Sequence, residues 1–324
     1  RGCVLVTWLF GIVFTLVGVA QSLAGVTVTG ASGWGDLSTD TASNAASPAW
    51  TTLGAITIAE GDNSDFAVGT NVTLILKAPA GFEINTLVPP DLGTVGGDVT
   101  NASVAMTDSS TITITLTVTA TNAADTLTIG SVTNIQVRPS AGTPLATGKH
   151  IYRPNTGDTA TITGITPSAD GSDGSDFGVL TEITGAAALV GVETAADGSG
   201  TIVPAQTITA GSSITVFSIA RDAFSNFVTN VVADAWSLTN VTGGVVSSNL
   251  VAAGDSKSAV FTGYATGTAV IDASAGALTR IDSGTLTVTS AGGSKLVYTT
   301  APASTNTGAT LAGVVVQIRD AFGN

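Results

Sequence analysis

The sequence predicts an all-β protein made of tandem β-sandwich modules that follow an apolar N-terminal segment. Short runs of Val, Ile and Thr alternate at period two and are separated by Gly, Asn and Asp, which is the pattern of half-buried strands joined by turns. Charged residues make up only 10% of the chain, and no Glu/Lys-rich stretch indicates a long helix. Part of the sequence also recurs at a spacing of about 100 residues, the size of one sandwich.

Length and charge narrow the possible partners. A chain of 324 residues has room for two or three domains, each with its own core. The net charge is −13, and 10 Lys and Arg residues spread along the chain cannot form the basic stripe that nucleic acids require. We therefore expect no nucleic-acid partner. The single cysteine, Cys3, allows no disulfide within the chain and no thiolate metal site.

The N-terminal segment predicts export. Residues 3–20 are nearly all apolar, and Ser22-Leu23-Ala24 supplies the small residues of a cleavage site. We interpret residues 1–24 as a secretory signal helix, truncated at its start, and expect membrane contact only through this segment. The alternative is an uncleaved membrane anchor. The predicted location is secreted, extracellular or on the cell surface.

The next two predicted units are a leader segment, 25–54, and a first β-sandwich, 55–184. The leader is small and polar, with Trp34 and Trp50 as its large side chains. In the sandwich, Thr111–Thr119 is the clearest strand, with apolar side chains facing a core and threonines facing water. The other strands carry apolar residues at the same period: Ile56 and Ile58; Val72, Leu74 and Leu76; Leu127 and Ile129; Val132, Ile135 and Val137.

An internal repeat sets the remaining boundaries. Arg221-Asp-Ala-Phe-Ser-Asn226 returns as Arg319-Asp-Ala-Phe-Gly-Asn324, a spacing of 319 − 221 = 98 residues, whereas Leu189-Val190 returns as Leu296-Val297, a spacing of 296 − 189 = 107. The difference, 107 − 98 = 9, predicts about nine extra residues near 195–200. The repeat predicts a second sandwich and a truncated third module, with small-residue hinges that allow bending. The modules are 185–291 and 292–324, and the hinges 184–188 and 290–294.

These residues resemble the immunoglobulin-like repeat domains of large bacterial surface proteins, of the invasin and intimin type. Those modules often carry a strand that ends in Arg-Asp-x-x-Gly-Asn, as at Arg319–Asn324. The resemblance covers residues 189–324 and implies tandem immunoglobulin-like sandwiches, with Trp236 in the core between the sheets. Residues 55–184, through phrases such as Ala78–Phe82, resemble cohesin-like sandwich modules of secreted multidomain proteins. Neither resemblance specifies a ligand.

The repeated segment has two interpretations. In the structural one, Asp222 accepts hydrogen bonds from backbone N–H groups that follow it, Asn226 or Gly323 adopts a positive φ, and Arg221 pairs with a carboxylate. In the functional one, Asp222 and Asn226 help to bind Ca²⁺ at a module junction. The composition is typical of common Asx-turns and favours the structural interpretation.

Two acidic loops are further candidates for Ca²⁺. Asp170, Asp173 and Asp176 lie in a Gly/Ser-rich loop, and Asp62 and Asp65 form a similar cluster with Glu60. Repeated carboxylates can surround a hard cation, but the spacing of three differs from an EF-hand loop and the closing Glu is absent. Solvated loops are the simpler interpretation, and no other cofactor is predicted.

Catalytic machinery is scarce in this sequence. His150 is the only histidine, which leaves at most one possible triad base and no His-rich zinc site. No Gly-rich phosphate loop links a strand to a helix, and no carboxylate lies in an apolar setting that would raise its pKa. We predict a non-enzyme. The sequons at Asn71, Asn101 and Asn240 are expected by chance in a chain rich in Asn and Thr.

The predicted function is a non-catalytic structural or adhesion stalk of a bacterial multidomain protein, which spaces and presents distal domains. Its expected partners are other surface proteins or glycans. The alternative is a carbohydrate- or ligand-binding accessory region of a secreted polysaccharide-active enzyme, and a third possibility is a cleaved polysaccharide-degrading enzyme. The accessory alternative requires an aromatic binding platform, for which the available residues are Trp34, Trp50, Phe66 and Phe82.

Overall fold

The computed structural model describes residues 25–33, 36–146 and 148–324. In these residues the regular structure is β-strand apart from two short 3₁₀ turns, Thr39–Thr41 and Ser247–Asn249. The all-β prediction is therefore confirmed. The predicted signal helix and Cys3 lie in residues 1–24, and Trp34 in the next gap, all outside the described residues. Within those residues, no helix has both the length and the apolar character to cross a membrane.

In the described part of the N-terminal half, fourteen short strands surround one hydrophobic core, and we call this unit the first module. The strands form a four-stranded sheet (β1-β4-β10-β7), two three-stranded sheets (β3-β11-β6 and β5-β9-β8) and two strand pairs (β12-β13 and β14-β2). Their bounds are β1 Thr27–Thr29, β2 Leu37–Ser38, β3 Thr51–Thr52, β4 Ile56–Ala59, β5 Gly69–Lys77, β6 Phe82–Ile84, β7 Leu92–Val95, β8 Val99–Asp108, β9 Thr111–Val118, β10 Thr126–Ile129, β11 Gln136–Pro139, β12 Lys149–His150, β13 Val179–Leu180 and β14 Glu182–Ile183.

The leader segment contributes directly to this first core. Ala31, Leu37 and Leu53 are at most 1% exposed and pack with residues as distant in sequence as Leu180. Strand β2 also pairs in parallel with β14. Burying these side chains accounts for the order of the segment, since each large apolar side chain removed from water contributes roughly 1.5–3 kcal/mol.

Two details of the predicted strands were wrong. Thr111 and Thr117 do not face water but are buried, because β9 is the central strand of its sheet and β5 and β8 cover its flanks. The Thr117 hydroxyl accepts the N–H of Asn71 at a bulge in β5. Val132 is not a strand residue: it is 84% exposed in a turn where its N–H donates to Asp91.

The second half of the chain is a sandwich of two sheets, which we call the second module. One sheet has the order β20-β21-β17-β15-β23, with β18 also paired to β17, and the other has the order β16-β24-β22-β19. The bounds are β15 Leu189–Glu193, β16 Gln206–Thr209, β17 Ser213–Arg221, β18 Phe227–Asn230, β19 Ala235–Thr239, β20 Leu250–Ala252, β21 Ser258–Thr262, β22 Gly267–Ser274, β23 Thr279–Ile281 and β24 Leu286–Thr289.

A separate core joins these two sheets. Val192, Val216 and Phe261 come from one sheet, and Ile271 and Leu286 from the other, and all five are fully buried. Contrary to what the resemblance implied, Trp236 does not lie in the core between the sheets: it is half-buried against the edge of this core, and its Nε1–H donates to the carbonyl of Ser256 at 3.1 Å. An indole combines an apolar ring with a polar N–H group, which suits a position at the edge of a core.

The last two strands repeat the opening of the second module. Strands β25 Lys295–Thr300 and β26 Val315–Arg319 pair antiparallel, with Lys295 opposite Arg319, as Leu189 lies opposite Arg221 in the second module. The structural spacing at this point is therefore 295 − 189 = 106 residues, one less than the sequence match suggested. Backbone pairing sets the register here, and a one-residue shift moves each side chain to the other face of the strand.

Candidate functional site

The two copies of the repeated segment form equivalent loops at the two module junctions. We call Arg221–Asn226 the first loop and Arg319–Asn324 the second loop. Each follows a strand that ends at its arginine, β17 for the first loop and β26 for the second. Each also lies against the hinge that precedes its module, because Ala188 N–H donates to the Arg221 carbonyl and Ser294 N–H to the Arg319 carbonyl.

Asp222 is the centre of the first loop. Its Oδ1 accepts the N–H groups of Phe224 and Asn226, both at 2.9 Å. Its Oδ2 accepts three more donors: the Asn226 side-chain amide at 2.9 Å, the Gly185 N–H at 3.1 Å and the Thr39 hydroxyl at 2.8 Å. The carboxylate is fully buried, and these five donors satisfy it as a buried charge requires.

Asp320 repeats this arrangement in the second loop. Its Oδ1 accepts the N–H groups of Phe322 at 3.0 Å and Asn324 at 2.9 Å. Its Oδ2 accepts the Asn324 side-chain amide at 2.8 Å and the hinge N–H of Ala291 at 2.9 Å. Four of the five bonds at Asp222 therefore recur, and the bond from the Thr39 hydroxyl is the one without a counterpart.

The hydrogen bonds also set the acidity of both carboxyls. Burial by itself raises the pKa of Asp222, but the bonds from Asn226, Thr39 and Gly185 outweigh it and hold the pKa below its ordinary value. The same balance lowers the pKa of Asp320 to about 2. Both groups are thus ionised at neutral pH, and the folded loops favour the charged form.

The turn in each loop is left-handed at its fifth residue. Ser225 has a φ of 68° and Gly323 a φ of 97°. The prediction for Gly323 is confirmed, whereas Asn226 does not take this conformation. Asn226 uses its side chain instead, since its amide reaches both Asp222 and the preceding module. Serine adopts a positive φ at a cost that glycine avoids.

The Asn and Phe side chains of each loop contact the preceding module. The side-chain amide of Asn226 donates to the Gly142 carbonyl at 2.7 Å, and that of Asn324 to the Tyr264 carbonyl at 2.9 Å. The Phe224 ring lies directly against Gly142, where an added Cβ would approach the ring to 2.3 Å.

Phe322 takes the equivalent position on the second module. Its ring lies against Gly211, where an added Cβ would approach to 2.8 Å, and its centroid is 5.6 Å from that of Tyr264. The Thr266 N–H also donates to Asn324 Oδ1 at 2.8 Å. Both phenylalanines thus pack on a residue that has no side chain.

The arginines differ between the loops. Arg221 forms a bidentate pair with Glu193, with Nε–Oε1 at 2.6 Å and Nη2–Oε2 at 2.7 Å. The Glu193 side chain is only 1% exposed, and this pair raises the pKa of Arg221. The predicted carboxylate partner is therefore present in the first loop. In the second loop Arg319 meets the amide oxygen of Gln317, at 3.0 Å from Nη2.

The extra residues of the second module cover this ion pair. Thr194 N–H donates to the Thr201 carbonyl and closes a loop around residues 195–200. From this loop the carbonyls of Gly198 and Gly200 accept Arg221 Nη2–H at 3.1 and 3.3 Å. The inserted residues that the change in repeat spacing predicted thus cover the Arg221 guanidinium group and accept its hydrogen bonds.

A second buried carboxylate lies near the first junction. Glu182 is 1% exposed, its Oε2 accepts the Ala146 N–H at 2.8 Å, and its Oε1 has no hydrogen-bond partner in the described residues. Burial raises the pKa of Glu182, the Ala146 bond opposes the rise, and the negative charge of Asp222 adds to it. The pKa values of Asp222 and Glu182 are thus shifted in opposite directions. Sequence reasoning missed Glu182 because nothing local marks it as buried.

The structure does not gather the calcium candidates around one point. Asp170 pairs with Lys149, Asp173 accepts the Ser168 hydroxyl, and Asp176 accepts the Gly178 N–H. Asp65, which is buried, accepts the N–H groups of Gly61 and Asp62. Across 25–33, 36–146 and 148–324 no three His, Cys, Asp or Glu side chains form a metal-binding group. Calcium binding stays a prediction without a site built for it in this part of the chain.

The other candidate residues have ordinary structural roles. The Nε2 atom of His150 lies 2.7 Å from the Asp173 carbonyl oxygen. Phe66 and Phe82 are buried in the first core, and the Arg138 guanidinium lies 4.1 Å from the ring centroid of Trp50. Among the platform candidates that the structure describes, Trp50, Phe66 and Phe82 therefore do not form one exposed surface.

Comparison with known proteins gives only weak structural similarities. No protein-family model matches the sequence, and no curated protein matches it. Among solved structures the chain is similar to a chimeric titin Z1Z2 functionalised with an exogenous peptide from decorin, at 10% identity and a TM-score of 0.19, over 83% of this chain and 98% of that one. It is also similar to titin domains Z1Z2 in complex with telethonin, at 10% identity and a TM-score of 0.19, over 70% and 96%. The protein class therefore follows from the chain's own sheets and cores: an all-β array of packed modules.

Proposed function

We propose that this chain is part of a non-catalytic stalk that is secreted or displayed on the cell surface and that spaces and presents other domains. In this proposal its modules are immunoglobulin-like sandwiches of the bacterial surface type. The observation that carries the proposal is a junction that recurs at two successive hinges, where the central aspartate accepts the same four hydrogen bonds. A chain that only bound a ligand with one module would not need the same connection twice.

The junctions favour spacing over free movement. Gly185 and Ala186 donate their N–H groups to Asp222 and Asp40, so the first hinge is bonded to a module on each side. In the second hinge the N–H groups of Ala291 and Ser294 both donate to the second loop, which follows the hinge. The sequence suggested hinges that bend, whereas these bonds restrain them, and a restrained linker holds a distal domain farther out than a flexible coil of equal length.

The proposal can be tested by surface display. Residues 25–324 are inserted between a cell-surface anchor and a reporter domain with a known target on opposing vesicles, and capture of the vesicles is measured. A Gly/Ser linker of equal length is the control, because it behaves as a random coil: its end-to-end distance, roughly 95 Å on average by 5–6 Å × √n, fluctuates widely and does not hold the reporter at a fixed distance. We expect capture to rise with the array and not with the linker. Equal capture by the two insertions would contradict a spacing role.

A further inference from the structure

We infer that the repeated loop is a docking connector. It fixes each module onto the end of the preceding module by contacting a glycine and a backbone carbonyl of that preceding module. The partner it recognises is thus a neighbouring module, and the recognition uses backbone chemistry more than side-chain identity. This inference concerns the joints alone and holds for any cargo that the array presents.

Three contacts define the connector, and all three occur at both junctions. The aspartate accepts an N–H of the hinge, from Gly185 in one case and from Ala291 in the other. The asparagine amide donates to a carbonyl of the preceding module. The phenylalanine ring covers a glycine of that module. Two occurrences of the same three contacts are hard to ascribe to chance packing.

The surfaces that receive the loop do not resemble each other in sequence. On the first module, Gly142 supplies both the bare Cα and the carbonyl. On the second module these two features come from separate segments, since Gly211 faces the ring and Tyr264 supplies the carbonyl. What the two receiving surfaces share is a backbone acceptor next to a position without Cβ. The two loops of this chain are nearly identical, whereas the two surfaces that receive them differ. This combination is consistent with a connector that can join different modules.

The geometry also explains why the connector needs a charged centre. A backbone N–H in a hinge loses its water when two modules close on it, and a buried donor without a partner costs about 1–3 kcal/mol. A carboxylate that already accepts the N–H groups of its own loop can accept the hinge donor without rearrangement. Asp222 and Asp320 are both at most 1% exposed and hold this arrangement.

Gly142→Ala is the sharpest test, because the three nearest atoms that the added Cβ would meet all belong to the Phe224 ring, at 2.3–2.5 Å. The φ of Gly142 is not in the left-handed region, so alanine is not strained by the backbone. Gly97→Ala is the matched control, since a Cβ there would meet open space. The readout is cleavage of the native chain by an elastase-type protease in the Thr184–Ala188 hinge, whose alanines suit that enzyme.

We expect Gly142→Ala to raise the rate of hinge cleavage about fivefold or more, since proteolysis of native proteins follows the population of locally opened states. Gly97→Ala should leave the rate unchanged. The double variant Gly142→Ala/Phe224→Ala should be cleaved no faster than Phe224→Ala alone, because the clash needs both partners. Thermal unfolding of each variant, followed in parallel, shows whether the modules themselves stay folded.

The inference is overturned if Gly142→Ala and Phe224→Ala both leave hinge cleavage at the wild-type rate while the modules melt normally. It is also overturned if the double variant sums the two single effects, since Phe224 and Gly142 would then act independently. These measurements use the purified chain without a display system, so they can succeed when the display experiment fails. Failure of vesicle capture with intact joints would remove the stalk proposal alone.

Discussion

At both junctions an aspartate accepts the N–H groups of its own loop and of the preceding hinge, but the first junction adds bonds that the second does not have. The Thr39 hydroxyl donates to Asp222, and Arg221 is paired with the buried Glu193. At the second junction no hydroxyl donates to Asp320 in the described residues, and Arg319 contacts a neutral amide. The second junction gains an aromatic contact instead, between Phe322 and Tyr264.

This difference distinguishes the hydrogen bonds made by the loop itself from those made by side chains of the surrounding module. The shared bonds depend on the six residues of the loop and on backbone donors, so they recur wherever the loop follows a hinge. The added bonds depend on side chains that each module supplies for itself, such as Thr39 and Glu193. The strength of a joint is thus adjustable through its surroundings, while its geometry is set by the loop.

The largest expected difference between the junctions comes from removing the central carboxylates. Asp222→Ala should lower the free energy of unfolding of the second module by about 3 kcal/mol, because five buried donors lose a charged acceptor. Asp320→Ala should leave that module's stability unchanged and reduce the protection of the amides that Asp320 accepts, those of Ala291, Phe322 and Asn324. Urea unfolding, followed by the fluorescence of Trp236, and amide hydrogen exchange measure the two effects. Equal losses of module stability would refute the contrast.

A smaller difference is expected at the arginines. Glu193→Gln should lower the stability of the second module by about 2 kcal/mol, because the half-covered Arg221 guanidinium loses a bidentate carboxylate. Gln317→Glu supplies Arg319 with the carboxylate that it lacks. Its benefit should stay below about 1 kcal/mol, because that pair is exposed to solvent. Chemical denaturation of both variants tests the asymmetry, and a benefit at Gln317 as large as the loss at Glu193 would argue against it.

Acidification should weaken both joints in a defined direction. The pKa values of Asp222 and Asp320 are lowered in the folded protein. Their contribution is therefore complete above the ordinary value of 3.8 and is lost as the pH falls through the folded value, about 2 for Asp320. The stability difference between the wild type and Asp222→Asn should shrink as the pH falls below the ordinary aspartate value of 3.8. Urea midpoints measured across this range test this expectation. A difference that stays constant as the pH falls would contradict a stabilising role for the ionised carboxylate.

The smallest expected effect belongs to the hydroxyl found only at the first junction. Thr39→Val removes one donor to Asp222 and keeps the shape of the side chain, so we expect a loss of about 1 kcal/mol. Cleavage at the 184–188 hinge should rise slightly, and cleavage at the 290–294 hinge should not change. A change at both hinges would show that Thr39 acts on the fold in general.

Local patterns predicted much of the strand structure. The alternation of Ile112, Ile114 and Leu116 placed β9, and the residues before Arg221 placed β17. Period-two patterns work because each strand buries one face, and that preference is written into consecutive residues. The same reasoning failed for Val132 and Thr117, whose exposure depends on which strands lie beside them. No local pattern records that neighbour relation.

The loop itself was only partly predictable. Its turn, its Asx bonds and the pairing of Arg221 with a carboxylate follow from residue types at short range. Its contacts with Gly142 and Thr39 do not, because the bond from Thr39 to Asp222 joins residues 183 positions apart. The identity of Glu193 as the partner was likewise undetermined, since any nearby acid would have satisfied the sequence.

By itself the sequence determined the all-β class, the repeated loop and the spacing change that marks an insertion, because these depend on periodicity and on self-similarity along the chain. Only the tertiary structure decided that the loop faces the module before it, that its aspartate holds the hinge, and that the insertion covers Arg221. These contacts form only when the modules pack. No local sequence pattern indicates that a particular backbone carbonyl or glycine Cα will be contacted by a distant segment. The physical reason is that recognition at these joints lies in backbone groups, which every residue has, and in a missing Cβ, which many glycines share.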